Sequence, residues 1–196
     1  IAWVDGRLRL LDQRKLPGEV TYIDYDNYRD VAGAISSMVV RGAPAIGITA
    51  AYGMVLAAQQ SPADDVEGLR RDLELAADVL GKARPTAVNL TWALKRVMKR
   101  VSDPDLDTVD EVRRAVVDEA ETIYRLEERS NYRIGVNSLP LVPDGAKIVH
   151  HCNTGPLATG AYGTALRVIV AAHEAGKGVH AYVDETRPRL QGARLT

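Results

Sequence analysis

The chain predicts an α/β fold. Residues 1–139 read as a mostly helical part opened by a small β-ribbon, and residues 140–196 as the beginning of an open parallel-sheet domain. Three observations predict this. Apolar residues recur at helical spacing in successive stretches between about Val31 and Leu126, each punctuated by Gly, Pro, Ser or Asp. The pattern changes at Pro140-Leu-Val-Pro-Asp-Gly145. The remaining residues read strand, loop, helix, strand, which is a β-α-β unit and so implies parallel strands joined by a right-handed crossover.

Each element has its own signal. Turn signals at Asp5-Gly6 and Pro17-Gly18, with Val20, Tyr22 and Ile23 suited to a strand, predict a hairpin or ribbon up to about Tyr25. Val31, Ala34, Ile35, Met38 and Val39 predict a helix that stops at Arg41-Gly42. Pro44 then stands where proline is welcome, in the first turn of the next helix. From Gly42 to Ala63 there is no charge, but the stretch is rich in alanine and broken by glycine, proline and glutamine. A bilayer span needs about 20 strongly apolar residues, so a core helix is predicted, with Ala43, Gly47 and Ala51 letting a neighbour approach closely. Ser61-Pro62 with Asp64 and Asp65 predicts the next helix start. Val66, Leu69, Leu73, Ala76 and Leu80 are its buried stripe, and Gly81 its end.

After Arg84-Pro85 comes a helix with Leu90, Leu94, Val97 and Val101 inward and Lys95, Lys99 and Arg100 outward. A longer one runs from about Asp107 toward Asn131 along Val109, Val112, Val116, Ile123 and Leu126, its charges covering the solvated side. Beyond the boundary, Ala146–His151 predicts a short buried strand, Leu157–Ala175 a helix, and Val179–Val183 a second strand. A two-stranded parallel sheet needs cover on both faces, so further chain, or a partner supplying the same material, is expected.

Charge excludes several functions. Lys and Arg number 25 against 26 Asp and Glu, so no global field attracts nucleic acid or an anionic membrane. The single cysteine, Cys152, cannot form an intramolecular disulfide. The first residues lack the basic start and apolar run of a signal peptide, and the cytoplasm is the expected location.

Ligands of open α/β sheets bind beyond the carboxyl ends of the strands. That rule sets Cys152-Asn153-Thr154-Gly155 beside Asp184-Glu-Thr-Arg-Pro188. A thiol near a helix N-terminus ionises more easily, although a lone cysteine is usually a small buried hydrophobe. His150, His151 and Cys152 suggest a metal, but adjacent strand residues point to opposite faces, so the three cannot converge and no metal is expected. Gly155, Gly160 and Gly163 fit neither the dinucleotide fingerprint nor the P-loop. In Arg41-Gly-Ala-Pro-Ala-Ile-Gly47, a guanidinium, backbone donors and a helix dipole meet, as a phosphate or carboxylate clamp requires. Arg41 could equally cap the preceding helix. Arg84-Pro-Thr-Ala-Val-Asn89 repeats the design.

Taken in order, these segments resemble the methylthioribose-1-phosphate isomerase family. The resemblance is carried by Leu11-Asp-Gln-Arg14 with Leu16-Pro17, by Arg41 to Gly47 with Ala51-Tyr-Gly53, and by Arg84 to Asn89. Cys152 to Gly155 with Tyr162-Gly-Thr-Ala165, and Asp184 to Pro188 with Gln191-Gly-Ala-Arg-Leu-Thr196, complete it. It implies a helical N-terminal domain, a Rossmann-like C-terminal domain, a cleft between them and a homodimer. Its substrate would be a small phosphorylated sugar. Arg41, Gly42 and Ala43 would hold the phosphate with help from Arg84, and Gln191 would contact the sugar. Asn153, Thr154 and Gly155 would line the site, and Cys152 would act at the reacting carbons. The family's catalytic aspartate would lie beyond residue 196, so the C-terminal portion of the second domain is expected to be missing. Pro156 departs from the usual small residue and removes one N–H.

With phosphate on C1 the sugar ring is locked, so an acid must open it before hydrogen passes from C2 to C1. Cys152 would be a base for proton transfer or would shape a dry pocket for a hydride shift; neither needs a cofactor. Two alternatives remain: a ribose-1,5-bisphosphate isomerase, or a non-catalytic metabolite-binding relative like the regulatory subunits of the translation-initiation exchange factor.

Overall fold

A computed structural model describes residues 1–196. Asp5-Gly6 turns β1 (Ala2–Val4) into β2 (Arg7–Leu11), and β3 (Tyr22–Tyr25) pairs with the other edge of β2, so the ribbon is a three-stranded antiparallel sheet. The register sets Leu8 against Tyr25 and Leu10 against Ile23, and Leu8 and Leu10 are buried under the helices.

Helix α1 is Tyr28–Ser36, shorter than its apolar spacing predicts. Ser37 N–H turns back to Gly33 O, and Met38 enters the left-handed region at φ 63°. Val39 and Val40 are therefore buried in a bend outside the helix. Helix α2 (Ala43–Gln60) opens with Pro44 in its first turn and is buried along nearly its whole length, as its uncharged sequence predicts. No helix is long and apolar enough to cross a membrane. A Cβ on Gly47 would lie 2.9 Å from Asn89 O, so the small residues of α2 do let α4 (Val88–Val101) approach closely.

Helix α3 is Val66–Lys82. It starts four residues later than Ser61-Pro62 predicts, because Asp65 is its cap: the carboxylate accepts Gly68 N–H at 2.7 Å. Ser61 instead ends α2, and its hydroxyl donates to Asp72. Gly81 lies inside the last turn rather than ending the helix. Of the predicted stripe, Leu69, Leu73, Ala76 and Leu80 are buried, and Val66, in the first turn, is partly buried. Helix α5 (Val109–Ser138) opens on a capping box between Thr108 and Glu111 and runs seven residues past Asn131. Leu126, placed in its apolar seam by spacing, is exposed.

The parallel pairing of β4 (Lys147–His150) with β5 (His180–Val183) is observed, with Lys147 opposite His180 and His150 opposite Val183. The strand is not buried as expected: Val149 is 75% exposed, because no second layer covers that face. The helix expected over Leu157–Ala175 is broken in two. A 3-10 turn occupies Pro156–Ala158, and α6 begins only at Ala165 and ends at Glu174. Between them Gly160 packs against Ile48 of α2 and Tyr124 of α5, and Asn131 donates to Ala161 O at 3.1 Å. These tertiary contacts replace helical bonds. A short α7 (Gln191–Arg194) closes the described chain.

Candidate functional site

Gln13 to Leu16, in the loop between β2 and β3, offer carbonyls to two arginines from distant parts of the chain. Arg41 is buried, 8% exposed, and its Nη2 donates to Gln13 O at 2.7 Å. Arg194 donates from Nε and Nη2 to Leu16 O at 3.2 and 3.1 Å, and from Nη2 to Arg14 O at 2.6 Å. Carbonyls satisfy guanidinium hydrogens without neutralising the charge. The nearest carboxylate, Asp12, is buried and already engaged by Arg14 in a bidentate pair at 2.8 and 2.7 Å.

Burial pulls the Arg41 guanidinium below the ordinary arginine range; the charges of Arg194 and Arg189 pull the same way and Asp12 opposes them. Arginine stays protonated regardless. Arg41 Nε is buried without a partner. The arrangement is thus a desolvated cation with a free donor at the start of a helix, whose first-turn N–H groups have no intrahelical acceptor. An anion satisfies all of these at once.

Gly42 caps α2 at φ 98° and presses its backbone on the loop that follows Cys152. A Cβ there would lie 2.2 Å from Ala158 O. Both the torsion and the space require glycine. Ala43, the first residue of α2, is exposed. Arg84 sits half-buried in the turn before α4, and no side-chain hydrogen bond joins it to the thiol loop. Its link to the Arg41 loop is indirect, through the crossing of Asn89 and Gly47.

Cys152 follows β4 with an exposed thiol and φ 71°. A non-glycine residue in this region is strained, and the surroundings hold it there. His150 shares a hydrogen bond of 2.8 Å with Thr154 Oγ1, and Thr154 Oγ1 accepts Leu166 N–H at 2.9 Å. Thr154 O accepts Thr164 N–H at 2.7 Å. Gly163, at φ 79°, allows this closure, since a Cβ would meet Thr154 O at 2.5 Å. The loop therefore lies at the N-terminal end of α6 through Thr154, although α6 begins later than expected. Thr154 spends its hydroxyl inside the loop. Asn153 Oδ1 accepts Gly155 N–H at 3.4 Å, and Gly155 is buried. His150 and His151 diverge: the first is buried on Thr154, and the second is exposed, with Nδ1 2.9 Å from Asp184 Oδ2.

That His151–Asp184 bond ties the second strand-end loop to the first. Glu185 accepts Gly192 and Ala193 N–H at 2.9 and 3.1 Å, which occupies the start of α7. Gln191 Oε1 and Thr186 Oγ1 are buried without partners. The structure thus brings together the Arg41 loop, the segment after Cys152, and α7 with Gln191. Cys152 and Arg41 make no hydrogen bond; they are joined through Gly42 and Ala158. Two large concavities lie elsewhere: one of about 740 Å³ along Arg129, Arg133, Ile134 and Leu141 on the C-terminal half of α5, and one of about 780 Å³ between the starts of α3 and α5, at Asp65 and Asp110. Gln13 and Arg194 escaped the sequence reading as site residues, although the segments Leu11-Asp-Gln-Arg14 and Gln191-Gly-Ala-Arg-Leu-Thr196 contain them.

Residues 39–196, which hold every one of these loops except the first, match the model of the Initiation factor 2 subunit family. The chain belongs to the Initiation factor 2 subunit family. Within that family it is similar to the methylthioribose-1-phosphate isomerase of Synechococcus sp., with 51% identity over all of this chain and 56% of that protein. Among solved structures it is similar to 5-methylthioribose 1-phosphate isomerase from Pyrococcus horikoshii, with a TM-score of 0.92 and 40% identity over 99% of this chain and 54% of that one. It is also similar to the translation initiation factor eIF-2B, subunit delta, from A. fulgidus, with a TM-score of 0.86 and 40% identity over all of this chain and 56% of that one. The chain spans a little over half the length of the curated relatives it matches.

Proposed function

We propose that this chain carries the phosphate-binding and thiol-bearing part of an aldose–ketose isomerase that interconverts 5-methylthioribose 1-phosphate and 5-methylthioribulose 1-phosphate in methionine salvage. The observation that carries this reading is the junction of Gly42 with Ala158. It sets a buried, unneutralised arginine with a free donor against the loop that displays the only cysteine. Two of the named relatives support it, since the proteins of Synechococcus sp. and Pyrococcus horikoshii bear the name methylthioribose-1-phosphate isomerase.

In this reading Arg41, with the first-turn amides of α2 at Gly42 and Ala43, takes the C1 phosphate, and Arg84 assists. Gln191 accepts a sugar hydroxyl through its unpartnered oxygen, and Asn153 and Gly155 line the site. Cys152 acts at C1 and C2. The chain divides at Leu139 and Pro140. The β4-α6-β5 unit is the first part of a Rossmann-like sheet, and the protein works as a cytoplasmic homodimer without a cofactor.

The test is an assay of the full-length protein on methylthioribose 1-phosphate, with ribose 1,5-bisphosphate as the competing substrate. Turnover of the first and not the second is expected. Cys152→Ala should abolish turnover while substrate still binds. Arg41→Ala should raise KM, and an unchanged KM would remove the phosphate role. A non-catalytic relative would bind the sugar phosphate and leave it unconverted.

A further inference from the structure

The segment Asp12–Gly18 is neither strand nor helix, yet the anion-binding arginine and the thiol loop both depend on one residue in it. Gln13 is 4% exposed and immediately follows β2 and Asp12. Its N–H donates to Val39 O at 3.0 Å and its carbonyl accepts Arg41 Nη2 at 2.7 Å, so its backbone brackets the segment leading into α2. Its side chain points the other way. Gln13 Nε2 donates to Leu157 O at 2.7 Å, across 144 residues of sequence, in the turn that Ala158 presses on Gly42.

We propose that Gln13 is a positioning residue that sets the spacing between the anion-binding loop of Arg41 and the thiol loop of Cys152. This role rests on one part of the proposed function, that Arg41 and Cys152 serve a single site. Three bonds from one residue fix both loops to the same covalent frame, so neither moves without the other. Packing alone does not account for the amide. Gln13 Oε1 is buried without a partner, and an apolar side chain of equal volume would avoid that cost. What an apolar side chain cannot supply is the donor for Leu157 O. A misplacement of about 1 Å between a binding group and a reacting group lowers a rate by about 100-fold, so the bond matters chiefly to chemistry.

Gln13→Leu tests this in the full-length protein, because it removes the side-chain donor and leaves the backbone bonds to Val39 and Arg41 in place. Two readouts are taken. In the isomerase assay, kcat should fall about 10- to 100-fold while KM stays within about threefold. In an assay independent of turnover, iodoacetamide alkylation of the Cys152 peptide is followed with and without inorganic phosphate. Phosphate should change the alkylation rate in the wild type, and Gln13→Leu should lose that response while keeping its affinity for phosphate. Gln13→Glu, of the same shape but with an acceptor facing Leu157 O, should behave like Gln13→Leu and decides the matter if the leucine variant does not fold.

Variants that melt earlier but keep the wild-type kcat and phosphate response would overturn the role, and so would failure of both to fold. Absence of any phosphate response in the wild type would overturn it too. A wild type without turnover, whose phosphate response Gln13→Leu abolishes, would instead remove the isomerase reading and leave the coupling intact.

Discussion

The residues before and after Leu139 are held together by different means. One cluster of 34 buried apolar residues begins at Leu8 and ends at Ile123, with α2 at its centre and no member from the later segment. After Leu139 the buried apolar residues are Val142, Ala158, Ala171 and Ala172, and the sheet shows Val149, Tyr182 and Val183 to solvent. The later segment is attached by individual contacts: Gly42 on Ala158, Gln13 on Leu157, Asn131 on Ala161, Gly135 of α5 against Arg167 and Ala171 of α6. The first region derives its stability from area removed from water. The second derives its position from backbone fit and polar bonds, and the loop after Cys152 lies against Gly42, where that fit is tight. A bulky residue in one contact of the second region should therefore do as much damage as a cavity in the core of the first.

The sharpest way to break the comparison is at the junction. Gly42→Ala adds a Cβ at φ 98° that would stand 2.2 Å from Ala158 O, and backbone cannot yield there as a flexible side chain would. The expected loss is about 3–5 kcal/mol, from strain and overpacking together, with turnover reduced at least about 100-fold. Gly6→Ala is the control: it has φ 76° in the β1–β2 turn and nothing within 4 Å, so it should cost only about 1 kcal/mol. Urea unfolding of both proteins checks the pair. Equal losses would show that torsion, and not contact with the thiol loop, is what Gly42 supplies.

Within the core, Leu80→Ala should cost about 2–5 kcal/mol. Leu80 is fully buried, and its methyls are the nearest atoms to Gly53 of α2, so the cavity opens against a helix that cannot slide without disturbing its own contacts with α4 and α5. Activity per folded molecule should be unchanged, which separates core from junction.

A smaller effect is expected from pH. Asp12 lies below the usual carboxylate range, chiefly because Arg14 hydrogen-bonds its side chain, against the opposing cost of burial. A depressed folded-state pKa gives stability that is fully present above the unfolded value, about 3.9, and is lost as pH falls through the lower folded value. Stability should therefore drop more steeply below about pH 4 in the wild type than in Asp12→Asn. At neutral pH Asp12→Asn should cost about 1–2 kcal/mol, toward the low end for charged hydrogen bonds because Arg14 is itself half-exposed. Since Asp12 directly precedes Gln13, the same acidification should loosen the Arg41 loop, visible as a rise in KM.

Most of the first region was legible because its signals are local. Helical spacing of Leu69, Leu73, Ala76 and Leu80 and the uncharged run after Gly42 each fix an element without reference to anything distant. Errors arose where two local signals competed: Ser61 and Asp65 are both good caps, and Ser61 was already needed by α2 and by Asp72. In the second region, local signals failed wherever tertiary contact decided the backbone. Leu157 to Ala175 has helical spacing throughout, but Gly160 must fit beneath Ile48 and Tyr124, so the helix starts late. Among the proposed site residues, Arg41 and Cys152 stand out by type and by motif, and Gln191 through the resemblance. Gln13 and Arg194 do not, because their importance lies in which carbonyls they meet, up to 180 residues away.

The smallest expected effect sharpens the comparison most economically. Val149 alternates with buried His150 in β4 and is 75% exposed. Val149→Thr keeps the β-branched shape and strand propensity and adds a hydroxyl that water can reach, so in the 196-residue chain it should change stability by less than about 0.5 kcal/mol. The same change at a buried position such as Val97, on α4, would bury a hydroxyl without a partner and cost about 1–3 kcal/mol. If Val149→Thr costs as much as Val97→Thr in parallel urea titrations, then the outer face of β4 is covered in solution, and the second region has an apolar layer of its own like the first.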